Sequence, residues 1–305
     1  MHFTLKQISY FVAAAETGSI TLASDRVNIS QPSISSAISV LEANFGLQLF
    51  IRHHAHGLSL TGDGQRFLEQ ARLLLQQADA LEQAGSEISN RISGPLEIGC
   101  LATLYPLVIP ELLYLFKKQH ETARINALAG HQTELFESLR TGQIAMALSY
   151  DMDVPPELEF EPLGALPPYI YVSASHRLAG KGAVKLKEMA DDSFILLDLP
   201  MSRDYFLNLF TQAGVSPKIG GRFSHFDVIR SLVARGEGFS IANARPKNQS
   251  SLDGRKLAYL TLERNLSALH YGILTLRGAR RTPTLTAFLG LCRDLLSQAK
   301  LPGTI

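Results

Sequence analysis

Two groups of side chains in this sequence have the types and spacing to do chemistry. Gln31, Ser33, Ser35 and Ser36 lie around Pro32, just after Ser30. A glutamine amide presents a donor beside an acceptor and hydroxyls serve as either, so such a cluster suits base edges and phosphates. The same residues also make an ordinary solvated helix face. The second group is dispersed: Cys100, Thr103, His131, Gln132, Ser202, Arg203, Ser224, His225, Asn243 and Arg245. Hydroxyls, imidazoles and guanidiniums of this kind hold a small polar ligand when a fold brings them together. A third set, His53, His54 and His56, suggests a metal, but no cysteine or carboxylate stands close by to complete it, and no metal or other cofactor is expected. Cys100 and Cys292 fall outside any CxxC spacing, which argues against a zinc knuckle or a disulfide framework and for a reducing compartment. With no base beside it, Cys100 reads as a small buried hydrophobe that touches the ligand region.

The catalytic signatures are missing. There is no GxSxG, P-loop, HExxH, or GxGxxG opening a helix after a strand, so no catalytic residue is assigned and an enzyme is not expected. Composition narrows the classes further. The chain has 305 residues, 46% apolar and 19% charged, as in a folded protein of two or three domains. Its 29 Lys and Arg nearly balance 28 Asp and Glu, so no bulk field draws it to a polyanion, and any nucleic-acid contact must come from local pattern. The most apolar stretch, Leu104 to Phe116, is broken by Pro106, Pro110 and Glu111, short of the roughly 20 apolar residues of a membrane span. The first residues lack a basic region followed by an apolar core, so the expected location is the cytoplasm.

The elements that must position these residues begin with three short helices. Leu5, Ile8, Val12 and Ala15, with Phe11 beside them, make one apolar face that ends at Gly18. Ser19 is the N-cap of a second helix carrying Ile20, Ala23 and Val27. Asn28-Ile29-Ser30 is a tight turn, and Ser30 caps a third helix whose inner face is Ile34, Ile38, Leu41 and Phe45, stopped by Gly46. This is a helix-turn-helix. Leu49 to Arg52 and Gly57 to Thr61 then flank a polar tip at 53–56, as the two strands of a wing would.

On Phe11, Ala14 to Ser19, Ala23, Ser30-Gln31-Pro32, Ile34-Ser35, Leu41-Glu42, Leu49-Phe50, Arg52, Leu60-Thr61 and Gly64, the sequence resembles the LysR-type transcriptional regulators. The resemblance implies that the third helix enters the major groove of double-stranded DNA by its N-terminal end. It assigns Gln31, Pro32, Ser33, Ser35 and Ser36 to that contact and Arg52 in the wing to a phosphate. This chain departs from the pattern at Ser36 and Ala37, where such proteins often carry Arg and Gln. Residues 1–65 also hold only Lys6, Arg26 and Arg52 against Glu16, Asp25, Glu42 and Asp63. One module therefore gains little from counterion release, and tight binding needs several acting together.

Phe67, Leu74, Leu81 and Ile88 alternate with Ala71, Ala78, Gly85 and Ile92 at gaps of 4 and 3. That is a coiled-coil seam between two copies of a long helix, with polar residues on its other faces, and it supplies the second DNA module. A helix buried on its own chain is the competing reading. Ser93-Gly94-Pro95 ends it. From there strand and helix patterns alternate: strands near 96–101, 123–129 and 144–149, helices near 106–118 and 132–141, then a similar set from 169 to 242, a strand at 269–276 and a last helix at 284–299. Such alternation means parallel sheets with crossover helices. LysR-type regulators carry a two-lobed domain like periplasmic solute-binding proteins, and looser phrases here match it: Ser175 to Ala179, Leu197-Asp198 and Leu232 to Gly238. Ligands in such lobes sit past the carboxyl ends of strands, against helix N-termini, and that rule selects the dispersed group above. Ser224 with Asp227 also fits a capping box, which leaves its role open.

The expected fold is thus mixed: an all-α winged helix-turn-helix at 1–65, a coiled-coil linker helix at 66–92 and an α/β two-lobed, periplasmic-binding-protein-like domain at 93–305. The expected function is a DNA-binding regulator, a homodimer or homotetramer in contact with RNA polymerase and off the membrane. The guanidiniums and imidazoles of the dispersed group favour an anionic effector, a carboxylate, with Arg203 as its partner. An enzyme or receptor built on the same two-lobed domain is the alternative.

Overall fold

Thr4 opens the first helix with a capping box that the periodicity alone does not reveal. In the computed structural model, which describes residues 3–53, 57–87, 92, 94–262, 266–297 and 301–304 and only the backbone of 52–53 and 82–87, the Thr4 hydroxyl accepts from Gln7 N at 3.2 Å. The Gln7 side chain accepts from Thr4 N at 2.8 Å. Helix α1 (Leu5–Thr17) ends at Gly18, whose φ of 63° is the left-handed cap that glycine adopts without strain. In α2 (Ile20–Val27) the Ser19 hydroxyl accepts from Leu22 N, and Asn28 takes the left-handed position at φ 54°. Helix α3 (Gln31–Phe45) follows, with Pro32 in its first turn. Ser30 holds the N-cap position, but its hydroxyl bonds the Ser33 hydroxyl at 2.8 Å and caps no backbone amide, which differs from the expected cap.

Ile8, Phe11, Ala14, Ala23, Ile34, Ile38 and Leu41 are buried together and hold the three helices. Strands β1 (Phe50–His53) and β2 (Gly57–Leu60) pair antiparallel as the wing, and Leu58 N bonds Gly18 O at 2.7 Å to tie it to the end of α1. The long helix α4 (Gly62–Glu87) starts against this wing: Gly64 N donates to the Thr61 hydroxyl at 2.8 Å. A Cβ on Gly64 would stand 2.1 Å from Leu49 O, so only glycine fits there. The Phe67 ring lies 5.1 Å from Phe11 and 5.0 Å from Phe45, and Leu68 and Ala71 are buried in the same core. Phe67 and Ala71 were expected on an intermolecular seam. Ala71 is buried and Phe67 half-buried against the N-terminal core instead, because the first turns of α4 pack on α1 before the helix leaves the bundle. Farther along, Leu74 is 38% and Leu81 is 75% exposed. Ala78 is half-buried, and Ile88 lies outside the described residues.

The chain falls into two compact units, residues 1–95 with 140–143 and residues 96–139 with 144–305. In the second, one lobe is a five-stranded sheet. Its strands are β3 (Gly94–Leu101), β4 (Ala123–Gly130), β5 (Met146–Tyr150), β6 (Leu158–Leu166) and β13 (Leu269–Leu276), in the order β4-β3-β5-β13-β6. Helices α5 (Tyr105–Gln119), α6 (Gln132–Arg140) and α9 (Pro283–Leu296) belong to it, and Phe116 meets Phe288 at 5.1 Å to lock α5 to α9. The other lobe has a four-stranded sheet, β11-β7-β12-β8, from β7 (Tyr169–Ser173), β8 (Ala183–Val184), β11 (Ser240–Ala242) and β12 (Leu257–Leu262). A parallel pair, β9 (Ser193–Leu197) and β10 (Lys218–Phe223), adjoins it through Phe239, whose carbonyl accepts from Ile195 N at 2.8 Å. Helices α7 (Ser202–Ala213) and α8 (Phe226–Ala234) cover that lobe, over a core that includes Tyr171, Phe194, Phe210 and Phe239.

The sheets are mixed, where alternation predicted parallel ones. β3 and β5 are parallel, but β13 runs antiparallel to both β5 and β6, because the chain leaves the first lobe along β6 and returns along β13. β6 was not anticipated: Pro162 interrupts its pattern, and proline is tolerated there because β6 is the edge strand.

Candidate functional site

The inner face of α3 is fixed by Ile34, Ala37, Ile38 and Leu41, all buried. With 3.6 residues per turn, that leaves Gln31, Pro32, Ser33 and Ser36 exposed and Ser35 half-buried at the N-terminal end. Helix α3 thus presents an amide and hydroxyls on a rigid start. Arg52 stands in β1, and its side chain lies outside the described residues. Arg26 is drawn away from the surface field by Glu16, 2.8 Å distant, and Glu16 also receives Arg72 at 3.0 Å. Arg26, one of only three Lys or Arg in residues 1–65, is thus already paired with a carboxylate.

In the second unit a cleft opens between the lobes. From the first lobe come Thr103 just after β3, Tyr150 at the end of β5 and Leu269 at the start of β13. The second lobe supplies Leu197 at the end of β9, Ser202, Tyr205 and Phe206 on α7, Phe226 opening α8, and Ala242 to Ala244 at the end of β11. Strand ends and helix starts converge here, as they do in open α/β lobes. The free volume is about 20 Å³, enough for a water or two.

A hydrogen-bond strap crosses this region. Asn243 donates its amide nitrogen to Leu166 O at 2.9 Å and to the Tyr205 hydroxyl at 2.8 Å, and that hydroxyl donates to Ser267 O at 2.9 Å. Leu166 and Ser267 belong to the two segments that cross between the lobes, so one network holds both. Burial pushes the Tyr205 phenol up to about 12 despite the Asn243 bond, and it pushes Tyr150 far above its ordinary value against a Thr103 bond. Both phenols are neutral donors at working pH. The start of α7 is strained: Met201 has φ 66° and ψ −42°, and Ser202 N bonds Pro200 O at 2.8 Å, a γ-turn of the rare hand. Such a residue costs about 1–3 kcal/mol and is kept where a turn must be aimed, here to set Ser202 at the cleft.

Of the nine residues expected at the effector site, Thr103, Ser202 and Asn243 line the cleft. Cys100 is fully buried in β3, its thiol against Leu101 O at 3.7 Å and its pKa raised by burial. Gln132 is buried and fully engaged: its nitrogen donates to Tyr150 O at 2.7 Å and Met152 O at 3.1 Å, and its oxygen accepts from Ser149 at 2.5 Å. It pins α6 to the end of β5. His131 closes the start of α6, its amide donating to Glu134 at 2.9 Å and its ring meeting Thr133 at 2.8 Å. Arg203 pairs with Asp204 at 3.1 Å and Asp198 at 3.6 Å, outside the lining. Ser224 and His225 are exposed, and His225, not Ser224, occupies the N-cap of α8 without a side-chain cap bond. Arg245 turns onto the Tyr169 and Tyr259 rings, 5.6 and 5.1 Å from their centroids.

Tyr150, Tyr205 and Phe226 were missed because the strand-end rule was applied to thiol, hydroxyl, amide, imidazole and guanidinium side chains and not to aromatic ones. Applied to every side chain, it selects Tyr150 and Leu197 as the last residues of β5 and β9. Among the described residues no group of three or more His, Cys, Asp or Glu could hold a metal ion, and His54 and His56 lie outside them. No helix among them is long and apolar enough to cross a membrane.

Residues 5–65 match the family model described as a bacterial regulatory helix-turn-helix protein of the lysR family, and residues 89–297 match the LysR substrate binding domain. The HTH-type transcriptional regulator TfdS of Cupriavidus pinatubonensis is 30% identical over 292 residues, covering 94% of this chain and 97% of that protein. The SDS degradation transcriptional activation protein of a Pseudomonas species is 30% identical over 299 residues, 95% of each. In three dimensions the chain is similar to HinK, a LysR family transcriptional regulator from Pseudomonas aeruginosa, with a TM-score of 0.67 and 34% identity, over 98% of this chain and all of that one.

Proposed function

The chain belongs to the LysR family of DNA-binding transcriptional regulators with an effector-binding domain, and we propose that it reads its operator with the N-terminal end of α3 and senses a small molecule in the cleft between its two lobes. The division proposed is 1–65 for DNA, 66–92 for pairing two chains and 93–305 for the effector, with the protein acting in the cytoplasm beside RNA polymerase. The observation that carries the DNA assignment is the sided α3, buried at Ile34, Ile38 and Leu41 and open at Gln31, Ser33 and Ser36. Ser35 and Arg52 complete the proposed contact. For the effector, the proposed set is Thr103, Ser202 and Asn243, joined by Tyr150 and Tyr205. A carboxylate effector rested on Arg203, whose pairs with Asp198 and Asp204 keep it outside the lining, so the proposal does not extend to an anion. Lobe closure would act through the strap of Asn243 and Tyr205 on both crossing segments, and so couple the cleft to the spacing of paired DNA modules.

Gln31→Ala tests the DNA assignment. A bidentate amide-to-base contact contributes about 1–3 kcal/mol, so affinity for duplexes selected from a random pool by the parent protein should fall roughly 5- to 150-fold per module at matched salt. Gln31 is exposed and outside the core, so the melting temperature should not move. Unchanged affinity would remove Gln31 from the interface.

A further inference from the structure

Among the described residues, no charged side chain lines the cleft. Aromatic Tyr150, Tyr205, Phe206 and Phe226 line it beside aliphatic Leu197 and Leu269, with Thr103, Ser202 and Asn243 as its other polar residues. The cations nearest in sequence to that lining are held elsewhere. Arg203 is shared between Asp204 and Asp198, and Asp198 also takes Arg222 at 3.7 Å. Arg245, which follows Ala244, stacks on Tyr169 and Tyr259. The start of α7 turns on itself: Ser202 N and Arg203 N bond Pro200 O and Leu199 O at 2.8 and 3.0 Å, so these amides are not available to an anion.

An ionised ligand here would leave water and meet no charged side chain in the lining, and a charge without a paired partner in a largely apolar site is strongly disfavoured. A flat apolar ring meets what the walls offer, ring edges and faces. One hydroxyl or carbonyl on it meets neutral phenol and hydroxyl groups at Tyr150 and Thr103. Asn243 has given its nitrogen to Leu166 and Tyr205, so what remains to it is an acceptor oxygen. We propose that the cleft takes an uncharged molecule built on an aromatic or similarly flat apolar ring bearing a hydroxyl or carbonyl, and discriminates against the matching carboxylate. This rests on the assignment of the cleft as the effector site. With about 20 Å³ free, the ring enters only as the lobes part, so its binding and lobe movement are one equilibrium.

The test uses the full chain and matched pairs at pH 7.5: benzyl alcohol against benzoate, acetophenone against phenylacetate, and indole-3-carbinol against indole-3-carboxylate. Affinities are read by ligand-observed NMR for the parent, for Ser202→Leu, which fills the cleft, and for Tyr150→Phe, which removes one hydroxyl and little volume. The expected result has three parts. The neutral member binds at least tenfold tighter, its binding is lost in Ser202→Leu and reduced several-fold in Tyr150→Phe, and Arg203→Ala changes it less than twofold. If the carboxylates bind tighter and are lost in Ser202→Leu or weakened by Arg203→Ala, the ligand class is overturned while the cleft stands as the effector site. If no compound binds, or none is affected by either Ser202→Leu or Tyr150→Phe in variants that melt like the parent, the cleft assignment falls and the class with it.

Discussion

Phe11→Ala is expected to unfold the N-terminal unit and abolish operator binding while leaving the two-lobed unit folded. Phe11 is fully buried, and its ring lies 5.4 Å from Phe50 in the wing and 5.1 Å from Phe67 at the start of α4. Truncating such a ring costs about 3–5 kcal/mol, counting both lost transfer energy and the cavity left behind. A unit of this size has only about 5–10 kcal/mol in all, so most of its margin is removed. Calorimetry on the full chain reads the outcome directly: the transition belonging to the N-terminal unit should fall by well over ten degrees or vanish, and the other should stay. The same loss should appear in DNA binding with no change in cleft ligand affinity. Wild-type melting and operator affinity in this variant would show that the three-way ring contact does not hold the wing and α4 to the bundle.

The N-terminal unit was the most legible part of the sequence because its signals are local. Gly18, Asn28 and Gly46 each terminate a helix in the left-handed conformation they favour, and Ile34, Ile38 and Leu41 fall at helical spacing on one buried face. Phe67 and Ala71 were misplaced for an equally physical reason. An apolar residue at a heptad position says that a face is buried, not against what, and the first turns of α4 find a partner in α1 of the same chain.

In the second unit the βα alternation located most elements, yet β13 pairing antiparallel between β5 and β6 depends on where the chain returns, which no local pattern encodes. The cleft was the least legible. His131, Gln132 and Arg203 are polar residues near strand ends or helix starts, and each proves to satisfy a neighbour in its own lobe: Glu134, the carbonyls of 150 and 152, and two aspartates. Buried polar groups must be paired, so a polar residue at such a place is often already engaged by the fold. The aromatic residues that do face the space read in sequence as core.

The misplacement of Phe67 sharpens the second large prediction, which concerns Leu74 and Leu81. These two are seven residues apart on α4, one above the other on the same side, and they are 38% and 75% exposed. Their exposure is what a seam awaiting a second helix would show, since leucines at this spacing pack as knobs between paired helices. They take no part in the core that Phe67, Leu68 and Ala71 help to build. Leu74→Glu with Leu81→Glu should therefore leave both calorimetric transitions within a few degrees of the parent while, if the proposed pairing through α4 holds, the parent sediments as a dimer or larger and the variant as a monomer. Operator affinity should drop by about 10²–10⁴, the advantage that a second tethered module gives when each binds weakly alone. Residues 1–65 carry one more acid than base, so a single module has little electrostatic attraction with which to compensate. Raising the salt concentration should then weaken the double variant less steeply than the parent, because half as many phosphate contacts are made at once. A sedimenting dimer with parental operator affinity would show that α4 is not the pairing element, and that the exposed leucines serve some other surface.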